Sequence, residues 1–305
     1  MPLRGRRCLE LRCNAACTPD RTSCGMLPRV PVYFNPAVSD RPIGRNLENI
    51  GLPVDSADEH QALVDRAVRE GKRIPAVCGT YFRWRCGDGA ELWVRLDRDG
   101  GFGGADPYFE GKGVMRVRVS TIGNNGRGLL AGNVTGWMLP IEEDEPEESC
   151  RCCIDLPDFA CHVHRPLSAV ADFHVAAFAD ELEVYDTVDA FERAQAHEEV
   201  RFAPDAFFAS TFVVSDGEDD DPGAEAVMFG HVLATEERRN PATRARYHTA
   251  LIRTADATIH VVAAPDLVSA PIVVGGVLGG SFWLSGMVRA WPAVSVGDPS
   301  SRDLH

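Results

Sequence analysis

Two short runs of alternating residues joined by a Gly-Asp-Gly turn constrain this chain more than any other feature in it. The runs are Thr80-Tyr81-Phe82-Arg83-Trp84-Arg85-Cys86 and Glu91-Leu92-Trp93-Val94-Arg95-Leu96, with Gly87-Asp88-Gly89 between them. A period of two sends successive side chains to opposite faces of a pleated strand, and the glycines supply the backbone freedom that a tight reversal needs. The pattern predicts a β-hairpin, and the surrounding residues must fold onto it.

Upstream, Ala57, Leu63, Val64, Ala67 and Val68 recur at helical spacing behind Ser56 and ahead of Gly71. A hydroxyl cap and a glycine stop predict a helix over Ser56 to Glu70. Downstream, a Gly-rich loop from Gly100 to Gly113 leads into the alternating strand Val114 to Val119, and Val134 to Leu139 adds another strand. In the second half, Phe173 to Phe178 reads as a strand and Thr187 to Glu199 as a helix capped by Thr187. Val227 to Thr235, Tyr247 to Thr254 and Thr258 to Ala263 then read as a meander. The apolar run Val273 to Val288 is punctuated by Gly275, Gly276, Gly279 and Gly280, which permit bending in a closed sheet.

These elements predict an α+β protein with two β-rich domains and few helices. The expected division is a disordered leader over 1–29, an N-terminal domain over 30–145, an acidic Cys/His connection over 146–168, a C-terminal domain over 169–292 and a disordered tail over 293–305. Three strands, a short helix and a further strand across Val227 to Val288 resemble the order of the OB-fold. That resemblance implies a small antiparallel barrel in the C-terminal domain.

Composition narrows the functional classes. The formal charge is −14 in 305 residues, and no stretch is long and apolar enough to cross a bilayer. A membrane partner is not expected, and any anion-binding surface has to be local. The runs 143–148 and 216–221 hold much of the acidic excess and suit solvated loops. The first thirty residues carry arginines and cysteines without the apolar core of a secretory signal, so the expectation is a cytoplasmic protein. Met26 precedes the first patterned segment, and an over-extended gene start is one reading of that leader.

Two constellations carry candidate chemistry. If Phe82, Trp84, Leu92, Val94, Met115, Val117 and Val119 face the core, the opposite face displays Arg83, Arg85, Trp93, Arg95, Arg116 and Arg118. Guanidinium groups pair with phosphate or carboxylate and an indole stacks on a base or sugar, so this face suits an anionic small molecule, a nucleotide or an oligonucleotide. The competing reading is a solvated sheet face neutralised by Glu91 and other acids. The second constellation is Cys150 and Cys153 with Cys161 and His164, at C-x2-C and C-x2-H spacing, three thiolates and an imidazole that match tetrahedral zinc. The competing reading is a solvated linker with reduced thiols.

His231, His248 and His260 fall on consecutive predicted strands, and their convergence is a further open arrangement. Gly100-Gly101-Phe102-Gly103-Gly104 lacks the Lys-Ser/Thr of a phosphate loop. Asn49-Ile50-Gly51-Leu52-Pro53-Val54, the following helix and three strands are similar to the β-α-β-β-β module of the vicinal oxygen chelate family. That similarity implies a divalent metal in a cupped sheet, with Glu91 as a carboxylate ligand. No nucleophile elbow, His-Glu-x-x-His helix or kinase signature is present. The sequence therefore points to a binding or interaction protein, with a metal-dependent enzyme of the chelate type as the alternative.

Overall fold

The computed structural model describes residues 45–140, 150–165, 169–209 and 223–291. The leader 1–29, the tail 293–305 and the acidic runs 143–148 and 216–221 lie outside the described residues. The fold is β-rich with few helices and holds its strands in two sheets.

The smaller sheet is an antiparallel meander of β1 (Lys72–Ala76), β2 (Gly79–Arg85), β3 (Ala90–Asp97) and β4 (Phe102–Phe109). The predicted hairpin is β2 and β3, with Phe82 opposite Val94 and Arg83 opposite Trp93. The Gly-rich stretch expected as a loop is mostly β4, in which Gly104 lies against the Arg95 guanidinium where a larger residue would collide with it. α1 (Arg45–Glu48) and α2 (Ala57–Glu70) precede the sheet. Ser56 caps α2 by accepting from the Glu59 N–H at 3.2 Å, and Val64, Ala67 and Val68 turn inward.

The larger sheet has nine strands: β5 (Met115–Asn124), β6 (Gly132–Leu139), β7 (Arg151–Asp155), β8 (Val170–Tyr185), β9 (Phe207–Ala209), β10 (Glu225–Arg239), β11 (Arg246–Arg253), β12 (Thr258–Ala263) and β13 (Val277–Ala290). α3 (Val188–Ala194) follows β8, shorter than its predicted span. The two sheets part between Phe109 and Met115, and the stretch 146–168 contributes β7 to the larger sheet.

The pairings of the larger sheet close two circuits that share β8 and β13. In the first, β5, β6 and β7 form a meander, β7 runs parallel to β13, β13 pairs with β8, and β8 returns to β5. In the second, β10, β11 and β12 form a meander, β12 runs parallel to β8, and β13 returns to β10. Each half of the chain thus supplies four strands, and each sends its last strand to complete the other's parallel pairing. One core fills both circuits: Val117, Val134, Met138 and Ile154 meet Phe173, Phe282 and Leu284, which meet Ile252, Ile259 and Val261. Burying so many apolar side chains, each contributing roughly 1.5–3 kcal/mol, is what favours closure over an open sheet.

The smaller sheet is covered on both faces. Phe82, Trp84, Leu92 and Val94 join a core with Val64, Ala67 and Val68 of α2 and with Ile50 and Leu52. On the other face, Tyr81, Trp93 and Tyr108 pack with Leu130 of the β5–β6 connection, Ala160 of the helical turn after β7 and Met287 of β13. The Tyr81 hydroxyl fixes the join, donating to the Leu130 carbonyl at 2.7 Å and accepting from the Ala160 N–H at 2.9 Å. Among the described residues no helix is long and apolar enough to cross a membrane.

Candidate functional site

The structure divides the six residues of the predicted Arg/Trp face between the two sheets. Arg83, Arg85, Trp93 and Arg95 share one face of the smaller sheet, but Trp93 is only 1% exposed and lies in the interface with the larger sheet. Glu91 is buried beside it and accepts from Arg83 Nη2 at 2.5 Å, Arg85 Nε at 3.2 Å and Trp93 Nε1 at 3.0 Å. The Arg83 guanidinium also lies 5.4 Å from the centre of the Trp93 ring. Arg85 reaches Glu110 at 3.0 Å, and Arg95 pairs with Asp106 at 2.8 Å. Alternation predicts the side of the strand on which these four residues lie, yet it carries no information on which sheet a strand joins or whether a second layer covers that side. The acids that make such covering tolerable are Glu91 and Asp106, because a buried cation needs a partner.

Arg127 extends this charge pattern into the larger sheet. It pairs with Asp106 at 3.6 Å and with Asp155, which also accepts from Trp283 Nε1 at 2.8 Å and Asn125 Nδ2 at 3.2 Å. A chain Arg95, Asp106, Arg127, Asp155, Trp283 therefore crosses from β3 to β13. Burial raises the Asp155 carboxyl above its ordinary range, opposed by Arg127 and Trp283. The charges alternate and balance, so the arrangement fastens the layers together.

The zinc constellation is not brought together. Cys150 packs toward the interior of the strand circuits, whereas Cys153 lies in the core shared with α2. Three residues apart on an extended chain, they point to opposite sides. Cys161 and His164 are exposed beyond β7. Among the described residues no group of three or more His, Cys, Asp or Glu side chains could hold a metal ion, and His231, His248 and His260 form no such group. His260 is instead clamped locally: its Nδ1 accepts from the Lys112 N–H at 3.2 Å, and its ring lies 5.0 Å from that of Phe109. Burial, with Arg238 and Lys112 nearby, pushes its pKa down to about 4. In the segment similar to the chelate module, Asn49 to Gly51 form a turn after α1, and Asn49 donates to the Ala179 carbonyl at 2.8 Å.

Arg116 and Arg118 stand on the outer face of β5, since Met115, Val117 and Val119 fill the interior. Arg116 pairs with Asp172 across the ladder at 3.0 Å. Arg118 lies directly opposite Trp137 on β6, and Trp137 lies directly opposite Arg151 on β7. Trp137 is 37% exposed, and Arg151 is exposed beside it. An indole is thus flanked on both sides by arginines in register across three adjacent strands. The signal for Trp137 was present in the sequence, because Val134 and Met138 fix the inward parity of β6 and so turn Trp137 outward. Arg151 was hidden inside the metal-like cysteine spacing.

No protein-family model, no curated protein and no solved structure matches this chain.

Proposed function

We propose that the protein is a binding protein for an anionic ligand, a nucleotide or an oligonucleotide, and that its site is the outer face of β5, β6 and β7. The observation that carries the reading is the row Arg118, Trp137, Arg151, in which an exposed indole lies between two guanidinium-bearing positions on neighbouring strands. Guanidinium groups bind phosphate bidentately, and an exposed ring offers a stacking surface. Further support comes from connectivity. We read the meander β5, β6, β7, the parallel step to β13 and the antiparallel return through β8 as an OB-like order, a reading that the second circuit's meander and parallel step support. Arg83, Arg85 and Arg95 lie outside the proposed site, on the smaller sheet, where Glu91, Glu110 and Asp106 engage them.

The test is polyanion binding at low salt, followed by fluorescence anisotropy. The double variant Arg118→Gln with Arg151→Gln should bind at least tenfold more weakly than wild type while keeping the same far-ultraviolet circular dichroism. Unchanged binding in that variant refutes the site.

A further inference from the structure

The spacing of the Arg118–Trp137–Arg151 row carries the reading one step further. Adjacent strands lie about 4.8 Å apart, so the backbones bearing the two arginines straddle the Trp137 backbone across about 10 Å in total. The two cationic positions lie one strand to either side of the aromatic one, Arg151 exposed and Arg118 half-buried. A free nucleotide with its phosphate at one end engages one flank only. A base-free polyanion engages both flanks and leaves the indole unused. A duplex keeps its base faces inside the stack, where an indole on a sheet surface cannot reach them. A nucleotide within a single strand carries a phosphodiester on each side of one accessible base and so matches all three positions.

We infer that the occupant of this row is a single-stranded nucleic acid, with one base stacked on Trp137 and the flanking phosphates on Arg118 and Arg151, an inference that rests on the anionic-ligand reading of the same face. The contact is short. The row offers two guanidinium-bearing positions, Arg118 and Arg151, so the phosphate contacts number about two. Binding to a single strand then weakens with salt along a log–log slope of about −1.4, far shallower than for proteins that track a long stretch of backbone. Base identity matters little, since every base has a ring face to stack.

The experiment compares a short oligodeoxythymidine, thymidine monophosphate, a DNA duplex, inorganic polyphosphate and heparin on the full chain, by anisotropy or by competition. The single strand should bind best, and Trp137→Ala should weaken it roughly tenfold or more. Trp137→Phe should retain most of the affinity, because a smaller ring still stacks. Both variants sit at an exposed position, and a urea midpoint equal to wild type confirms intact folding. If polyphosphate or heparin competes as well as the single strand, and Trp137→Ala changes nothing while the arginine double variant still weakens binding, the nucleic-acid inference falls and the anionic face stands. If no polyanion binds at all, both fall.

Discussion

The indole of Trp283 donates to Asp155 Oδ2 over 2.8 Å, joining β13 to β7 at the point where their parallel pairing places Ser285 opposite Asp155. Arg127 closes on the same carboxylate from the β5–β6 loop and continues to Asp106 of the smaller sheet. Removing Asp155 leaves the half-buried Arg127 guanidinium with Asp106 alone and the buried Trp283 indole N–H without its acceptor. Asp155→Ala should therefore cost about 3 kcal/mol in urea unfolding. Asp155→Asn retains an acceptor and should cost less. Equal stability of wild type and Asp155→Ala would show that the network does not hold the layers together.

Glu91 offers the parallel case within the smaller sheet. It is 1% exposed and accepts from Arg83, Arg85 and Trp93, so Glu91→Ala should destabilise by about 2–3 kcal/mol. The arginines themselves should be dispensable for ligand. Arg83→Gln with Arg85→Gln should leave oligonucleotide affinity within about twofold of wild type, measured under the conditions that report the Arg118 and Arg151 effect. A loss comparable to that of the Arg118 and Arg151 variant would move the site to the smaller sheet.

These two cases also mark what was legible in the sequence. The β2–β3 hairpin, the capped α2, the outward parity of Arg116 and Arg118, and the β10–β12 meander all follow from local rules: a period of two, a period near 3.6, a hydroxyl cap and turn residues. What local rules cannot carry is which strands share a sheet. Val114 to Val119 reads equally well beside the hairpin or beside Phe173, and the choice is made by tertiary burial of Val117 against Phe173. The same limit hid β4, whose glycines suggest a loop but in fact make room for Arg95. It hid β7 as well, where Cys152 and Ile154 point inward from a stretch whose acids, prolines and cysteines suggest a connection. Alternation fixes the side of β3 on which Trp93 lies but not its burial, because solvent exposure depends on a partner layer far along the chain.

His260 predicts a pH response. Its Nδ1 can accept from the Lys112 N–H only when unprotonated, and burial holds its pKa at about 4 against an ordinary 6.5. The folded state therefore binds fewer protons than the unfolded chain. The contribution is complete above pH 6.5, declines as pH falls toward about 4, and is flat below that. The slope within the window approaches at most about 1.4 kcal/mol per pH unit. His260→Asn keeps an acceptor near the Nδ1 position without titrating. The difference in unfolding free energy between wild type and this variant should shift against wild type between pH 7 and pH 5. A difference independent of pH would place His260 in a solvated, ordinary environment.

Metal dependence is a separate question with a clear outcome. Cys150 and Cys153 face different cores across β7, so chelator treatment should leave the urea midpoint unchanged, and protein purified without added zinc should carry metal near zero. Stoichiometric zinc released by a thiol-reactive reagent would contradict this arrangement of β7.

The acids closest in sequence to the proposed site set its local electrostatics. Glu142, Glu143, Asp144, Glu145, Glu147 and Glu148 fall between Trp137 on β6 and Arg151 on β7, so six carboxylates are tethered within a few residues of the two strands that carry the row. By Coulomb's law a like charge held near a binding surface repels the ligand, and it does so most at low salt, where the screening length exceeds the tether's reach. Replacing these six residues by Gln and Asn should raise oligonucleotide affinity severalfold at low ionic strength and by progressively less as salt is added. The comparison discriminates between local and global electrostatics. Neutralising the six acids at 216–221 and nearby, Asp216, Glu218, Asp219, Asp220, Asp221 and Glu225, changes the net charge equally. If both sets of replacements raise affinity to the same extent, only the overall charge matters to the ligand. A larger gain from the 142–148 set locates the ligand on the face of β5, β6 and β7.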